Sequence, residues 1–161
     1  MINFGKVDIN LSQDELYNVT FESCEACYRQ YDKLEKYYNE HNSKVWQIFE
    51  TSPPWIHDLS KKIPQDFKHS VVSMIRIDPG NTIPNHLDMY YKLREEFGDG
   101  DINRFLIFLE DWKRGHYFEV QDQPFVKWKA GDWVSFGPKD WHLAGNMGDE
   151  PLYCAQVTTL K

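Results

Sequence analysis

Short runs rich in Val, Ile, Phe, Tyr and Trp, separated by turn signals, fill the sequence from Phe67 onward. The turn signals are clusters of Gly, Pro, Asn and Asp, such as DPGN at 78–81 and KAGD at 129–132. The predicted strands are HSVVSMIRI, TIPNHLD, NRFLIFLED, HYFEV, FVKWK, DWVSFG, DWHLAGN and PLYCAQVTT. Short strands at this spacing predict a β-sandwich or jelly roll.

The pattern before Phe67 predicts helices instead. Ser12 and Glu15 form a capping box that starts a helix at SQDELYNV. Apolar residues then recur at spacings of three and four from about residue 22 to 39, which predicts a second, longer helix. A short helix is predicted through WIHDLSKK, after the proline pair of SPPW. We therefore expect a mainly helical support region at 1–66, packed on one outer sheet face.

Length and charge limit the classes of function. A chain of 161 residues is expected to form a single domain, with residues 67–161 as its jelly-roll core. The net charge of -7 argues against a nucleic-acid partner. No signal peptide or membrane span is apparent in the sequence, so we expect no membrane association and a cytoplasmic location.

Three cysteines, Cys24, Cys27 and Cys154, do not form a disulfide framework, and reduced thiols suit a cytoplasmic setting. Cys24 and Cys27 form a CxxC that lacks a second CxxC or CxxH. On the predicted helix both thiols would lie on one face with aromatic residues, which favours packing over a zinc site or a redox pair.

The stretch NHLDMYY places His86 and Asp88 two residues apart. On a strand, such residues point to the same face and can converge on one metal ion. The alternative is a surface histidine near a turn with a solvated Asp88. His142, in a later predicted strand, is the candidate third ligand. Two imidazoles and one carboxylate form a facial triad that suits non-haem Fe(II), although Zn(II) or Ni(II) remains possible on ligand type alone.

The other histidines are weaker candidates for the site. His41, His57 and His69 lie in or beside the helical half and are expected at the surface. His116 begins a predicted strand but has no carboxylate at matching spacing.

The order of IRIDPGNTIPNHLD, RFLIFLEDWKRGHYFEV and WKAGDWVSFGPKDWHLAGNMGDEP resembles the double-stranded β-helix oxygenases that use Fe(II) and 2-oxoglutarate. It is similar in particular to the small proline-hydroxylase-like and aspartyl/asparaginyl-hydroxylase-like members. The resemblance covers about residues 68 to 159. It implies that His86, Asp88 and His142 bind the metal, and that Gly131 and Asp132 form the turn before the distal strand.

The resemblance also implies a cation for the far carboxylate of 2-oxoglutarate. In much of the family this is an arginine ten residues beyond the distal histidine, where this chain has Leu152. Arg104 is the best replacement, since its forked guanidinium can hold a carboxylate. Strand alternation places Arg104 on one face with Leu106 and Phe108, and either face could be internal. The alternative is an exposed Arg104 paired with an acid such as Asp101; Arg76 is a second candidate for the cation.

Several residues near the predicted ligands have open roles. Asn146 either hydrogen-bonds the co-substrate or holds a turn with Gly145. Tyr90, Tyr91 and Trp141 flank the ligands and would either line a substrate pocket or pack. The segment 89 to 102 is long enough to form a mobile flap over the site.

The resemblance implies an oxygenase that hydroxylates an amino acid or a peptide or protein side chain, with Fe(II), 2-oxoglutarate and O2, and releases succinate and CO2. One alternative is a cupin-type metal dioxygenase that binds its substrate and O2 without 2-oxoglutarate, and Leu152 favours it. The other is a jelly roll that binds a small ligand without catalysis. The expected partner is a small-molecule or peptide substrate.

Overall fold

The computed structural model describes residues 2–24, 34, 36–48 and 53–161, and within them the chain is mainly β. The helices there are α1 (Gln13–Tyr17), α2 (Pro54–Ser60) and α3 (Tyr91–Phe97). The strands there are β1 (Asn3–Lys6), β2 (Glu22–Cys24), β3 (Val45–Ile48), β4 (His69–Ile77), β5 (Thr82–His86), β6 (Ile102–Phe108), β7 (His116–Val120), β8 (Gln123–Phe125), β9 (Asp132–Phe136), β10 (His142–Asn146) and β11 (Leu152–Leu160).

The strands form two antiparallel sheets. The described residues of the large sheet give the strand order β1-β9-β6-β11-β4-β3-β2, and those of the small sheet give β5-β10-β7-β8. Sequence neighbours such as β4 and β5 therefore lie in different sheets, which is the crossing pattern of a jelly roll. The prediction of a mainly β, double-stranded β-helix fold is confirmed.

Side chains that alternate along the strands fill the space between the sheets. Leu106 and Phe108 of β6 and Phe118 and Val120 of β7 belong to one buried apolar cluster there. Phe108 also stacks on Trp128, with 3.9 Å between the ring centroids. One face of each sheet is thus apolar over much of its length, as alternating patterns require.

A second apolar cluster covers the outer face of the large sheet. Leu16 of α1 and Ile56 and Leu59 of α2 are buried there together with Met74 of β4 and Val157 of β11. The N-terminal helices therefore pack on one outer sheet face, as the sequence predicts. The capping box at Ser12 is also present: Ser12 Oγ accepts from the Glu15 amide, and a Glu15 carboxylate oxygen accepts from the Ser12 amide.

The prediction that residues 1–66 are mainly helical is wrong for the residues described. β1, β2 and β3 lie in this region and extend the large sheet at both edges. The long helix predicted from residue 22 begins instead with β2, which pairs with β3, and Leu34 and 36–37 lie in turns. Residues 25–33, including Cys27, lie outside the described residues. Pairing with a sheet edge outweighs the local helical pattern here, because tertiary contacts override propensity.

Two later elements also differ from the sequence prediction. The predicted strand FVKWK is paired only at β8, and Lys127 has φ +60°, which interrupts extended backbone. The segment 89 to 102 contains α3, and Leu93 of that helix is buried against Ile102 and Leu160. The helix is therefore anchored to the barrel end, and a mobile flap over the site stays a prediction. None of the helices among the described residues is long and apolar enough to cross a membrane.

Candidate metal centre

A β-bulge brings the two candidate histidines together. His86 at the end of β5 pairs with His142 at the start of β10, whereas Ala144 pairs with Ile83. Pro84 and Asn85 therefore both lie opposite Leu143. The extra residue reverses the alternation, so that both Ile83 and His86 face the inside of the barrel. Bulges near sites often re-aim a side chain in this way.

The hydrogen bonds of both imidazoles turn their Nε2 atoms toward Asp88. His86 Nδ1 lies 2.8 Å from the Pro84 carbonyl oxygen, and His142 Nδ1 lies 3.0 Å from that of Asp140. A carbonyl oxygen only accepts, so each Nδ1 carries a hydrogen, and in the neutral imidazole Nε2 has the lone pair. The His86 Nε2 lies 3.6 Å from Asp88 Oδ1, and the His142 Nε2 lies 3.4 Å from Asp88 Oδ2.

Two lone pairs and a carboxylate that face one another repel unless a cation lies between them. A proton on His142 is disfavoured, because burial lowers the pKa of this imidazole. One ligand atom from each of His86, Asp88 and His142 lies within 4.8 Å of the others. The donor set of two imidazoles and one carboxylate, with its second ring nitrogens hydrogen-bonded, fits a transition metal ion.

Asp88 is held by one partner in its own loop and by another on β6. Its Oδ2 accepts from Arg104 Nη1 at 2.5 Å and from the Tyr90 hydroxyl at 3.1 Å. Burial raises the pKa of Asp88, but the Arg104 charge and the two histidines lower it further, so that the net pKa is well below its usual range. The carboxylate is therefore ionised. With Oδ2 occupied by these donors, Oδ1 is better placed to bind a metal.

Arg104 faces the space between the sheets, on the same side of β6 as Leu106 and Phe108. Its side chain is 16% exposed, and its Nε donates to Thr158 Oγ1 at 3.1 Å. The alternative of an exposed arginine paired with Asp101 is therefore wrong, because the partner is the partly buried Asp88. A role for Arg104 in co-substrate binding stays a prediction.

Asn146 lies away from the metal centre and holds a turn. Its Nδ2 donates to the carbonyls of Ile77 and Glu150, at 2.9 and 2.8 Å, and its Oδ1 accepts from the Gly148 amide at 3.0 Å. Both amide hydrogens are used, which corrects the assignment of Asn146 to co-substrate binding. Of its two predicted roles, the turn is the one observed.

Two further candidates from the sequence lie outside the centre. Leu152 is buried on the inner face of β11 and supplies no charge. Trp141 is 44% exposed and lines an outer cleft of about 240 Å³ with Asn85, Glu119, Gln121 and Asp122. Trp141 therefore does not line the inter-sheet space. The Phe136 ring lies beside His142, with 4.5 Å between the centroids.

The role of Tyr90 was not apparent from the sequence. Besides its bond to Asp88, its ring lies 4.8 Å from the guanidinium carbon of Arg104. Its backbone is left-handed, with φ 51°, which is uncommon for a bulky residue. Burial raises the pKa of the Tyr90 hydroxyl, so it remains a donor. The Asp-x-Tyr spacing in LDMYY was the available signal.

Comparison with known proteins identifies the fold and no closer relationship. No protein-family model matches the chain, and no curated protein sequence matches it. A putative sugar phosphate isomerase from Acidithiobacillus ferrooxidans is 16% identical, with 94% of this chain and 75% of that chain covered and a TM-score of 0.51. The Cnp3 cupin domain of Schizosaccharomyces pombe is 9% identical, with 91% and 72% covered and a TM-score of 0.49.

A predicted oxalate decarboxylase from Thermotoga maritima is 15% identical, with 74% of this chain and 83% of that chain covered and a TM-score of 0.46. The chain has a cupin-type fold. At these identities the likeness shows the fold alone. The chemistry of this cupin barrel must therefore be argued from its own residues.

Proposed function

We propose that this protein is a metal-dependent dioxygenase whose Fe(II) is held by His86, Asp88 and His142. The observation that carries the proposal is the convergence of two Nε2 lone pairs and one ionised carboxylate oxygen on a single point inside the barrel. A 2-His-1-carboxylate triad with open positions is the ligand set of non-haem Fe(II) oxygenases. Bound there, Fe(II) would supply adjacent open positions and redox chemistry toward O2.

The chain's own residues prepare the centre for that metal. The carbonyls of Pro84 and Asp140 fix both imidazole tautomers, so that Nε2 is the nitrogen that faces the metal position. Arg104 and Tyr90 hold one carboxylate oxygen, which favours binding through the other. Phe136 packs beside His142 and reduces the access of water.

We further propose that the organic substrate binds directly, without 2-oxoglutarate. The position that carries an arginine in much of the 2-oxoglutarate family is the buried Leu152, and the Nη1 of Arg104 is already bonded to Asp88. A dicarboxylate inside the barrel would need a cation for its far end, since a buried charge without a partner is costly.

A 2-oxoglutarate-dependent hydroxylase is the second candidate, and the charge of the centre favours it. Fe(II), Asp88 and Arg104 together carry two net positive charges in a poorly solvated space, which a dianion would balance. In that case Arg104 would contact both Asp88 and the far carboxylate. Hydroxylation of an amino acid or peptide side chain, with release of succinate and CO2, belongs to this second candidate.

An anaerobic titration of the protein with Fe(II), followed by 2-oxoglutarate, tests both candidates. One Fe(II) should bind per chain, and His142→Ala should abolish this, while the matched variant His57→Ala at an exposed histidine should not. Absence of stoichiometric binding by the wild type would refute the metal centre. A visible charge-transfer band on adding 2-oxoglutarate would favour the second candidate, and iron binding without a band would favour the first.

A further inference from the structure

The inner face of the large sheet becomes polar as it approaches the metal centre. Phe108 and Ile77, further along the barrel, are each 1% exposed. Nearer the centre the inward positions include Gln156 of β11, paired with Ser73 of β4, and then Thr158 of β11, paired with Arg104 of β6. Val71, beside Thr158 on this face, is 37% exposed. Polar groups and an exposed apolar side chain on an inner face indicate a binding surface rather than core.

A chain of hydrogen bonds fixes the orientation of the Gln156 amide. Gln47 Nε2 donates to Ser73 Oγ at 3.4 Å, and Ser73 Oγ donates to Gln156 Oε1 at 3.1 Å. A serine hydroxyl has one hydrogen, and here it is given to Gln156. The last group in this series of hydrogen bonds is therefore Gln156 Nε2, which carries two donor hydrogens. Among the described residues, this atom donates no hydrogen bond.

Gln156 lies beside the metal centre on the same face. Thr158, two residues further along β11, accepts from Arg104, which in turn pairs with Asp88. Two residues of a strand span about 7 Å, the length of a small organic molecule. Gln156 is only partly buried, so a ligand between the sheets can reach its amide.

The surroundings of Gln156 favour an anionic ligand. Its neighbours on the inner face are Ser73 and Leu106 across the sheet, and Cys154 and Thr158 along the strand, none of which is acidic. With a divalent metal, the pair of Asp88 and Arg104 leaves net positive charge nearby. A donor amide in a positive field selects an acceptor that carries negative charge.

We propose that Gln156, oriented by Ser73 and Gln47, binds a carboxylate of the organic substrate, and that Val71 contacts the hydrocarbon part of that substrate. The substrate is then a small organic acid whose carboxylate is not a metal ligand. This inference rests on the proposed function for the reaction that follows, but the carboxylate contact is made by the protein itself.

The side-chain amide signals of the ¹⁵N-labelled, zinc-loaded protein test the inference during titration with butyrate. The Gln156 signal should shift saturably with butyrate and at least tenfold more weakly with butyramide, which is neutral. Ser73→Ala should weaken butyrate binding several-fold, because the amide loses its orientation. Gln156→Glu keeps the shape of the side chain but removes this signal, so its butyrate binding is followed by the backbone amide signals and should be abolished. Gln123→Glu on the exposed strand β8 should leave butyrate binding unchanged.

A Gln156 signal that responds to no carboxylate would overturn the inference. A response to 2-oxoglutarate but not to butyrate would also overturn it, because the position would then belong to a metal-chelating keto acid. Zinc binding is measured separately on the same samples. If the protein binds no zinc but still shows the butyrate shift, the metal centre is refuted and the carboxylate site is not. If the protein binds zinc but butyrate causes no shift, the carboxylate site alone is refuted.

Discussion

The Tyr90 ring lies against the Arg104 guanidinium, 4.8 Å from ring centroid to guanidinium carbon, while both residues donate to the same oxygen of Asp88. One donor, Tyr90, lies in the same loop after β5 as Asp88, and the other, Arg104, lies on β6. The orientation of the carboxylate is thus fixed by residues that do not themselves offer metal ligands, as is common around metal centres.

Tyr90→Phe should weaken metal binding without unfolding the protein. The substitution keeps the ring on Arg104 and removes only the hydrogen bond to Asp88, so the affinity for Co(II) should fall about tenfold, at the lower end for partners of metal ligands. Titration monitored by the visible absorption of Co(II) measures this. Tyr117→Phe removes a similar bond to Glu119 outside the site and should have no effect. Equal affinity in all three proteins would contradict the role of Tyr90.

Metal should stabilise the folded protein, because the three ligand atoms converge only in the folded chain. At a Zn(II) concentration one hundred times the dissociation constant, the free energy of unfolding should rise by about 2.7 kcal/mol. Thermal unfolding with and without Zn(II) measures the increase. It should vanish in His142→Ala and persist in His57→Ala; an increase that persists in His142→Ala would place the metal elsewhere.

Asn146→Ala should destabilise the fold and spare the metal centre. The side chain is fully buried and its loss leaves the carbonyls of Ile77 and Glu150 and the Gly148 amide without their partner. The free energy of unfolding should fall by about 3 kcal/mol. Urea unfolding measures the loss, with the exposed Asn10→Ala as the control. A change in Co(II) affinity together with unchanged stability would restore the binding role for Asn146.

His116 should make the metal-free protein less stable in mild acid. Burial lowers the pKa of this imidazole from its ordinary value of 6.5, so the unfolded chain takes up a proton that the folded chain resists. The stability is present above pH 6.5 and is lost as the pH falls through the lower, folded pKa. His116→Gln should reduce this pH dependence in urea unfolding, and His57→Gln should not. Identical profiles for all three proteins would argue against the effect.

The residue types of the candidate centre could be predicted from the sequence, because HxD and a later histidine are a short list of chemically specific groups. The positions of the His86 and Asp88 side chains in the fold could not be predicted in this way. Asp88 lies beyond the end of β5, so the same-face argument for residues two apart on a strand does not explain their approach. The bulge at Pro84–Asn85 places His86 inside the barrel, and hydrogen bonds from Arg104 and Tyr90 hold the Asp88 carboxylate in position. No pattern in the local sequence predicts the bulge or these hydrogen bonds.

The fold was predictable where alternation is strong, as in β4 and β7, whose bounds match the predicted strands. It was not predictable for β2, where a helical pattern of apolar residues is overridden by pairing with β3. For Asn146, the sequence left two roles open. Its type suits either a turn or a ligand contact, and only the positions of Ile77 and Glu150 decide between them.

The bulge in β5 accommodates one residue more than regular pairing allows. Ile83 and His86 are three residues apart, so regular alternation would place them on opposite faces, and the bulge at Pro84–Asn85 places both inside. Removing one of these two residues would leave the two positions two apart, and regular alternation would then keep the histidine inside. When related sequences are compared, one residue fewer between the DPGN turn and the HxD pair is therefore compatible with the same candidate ligands.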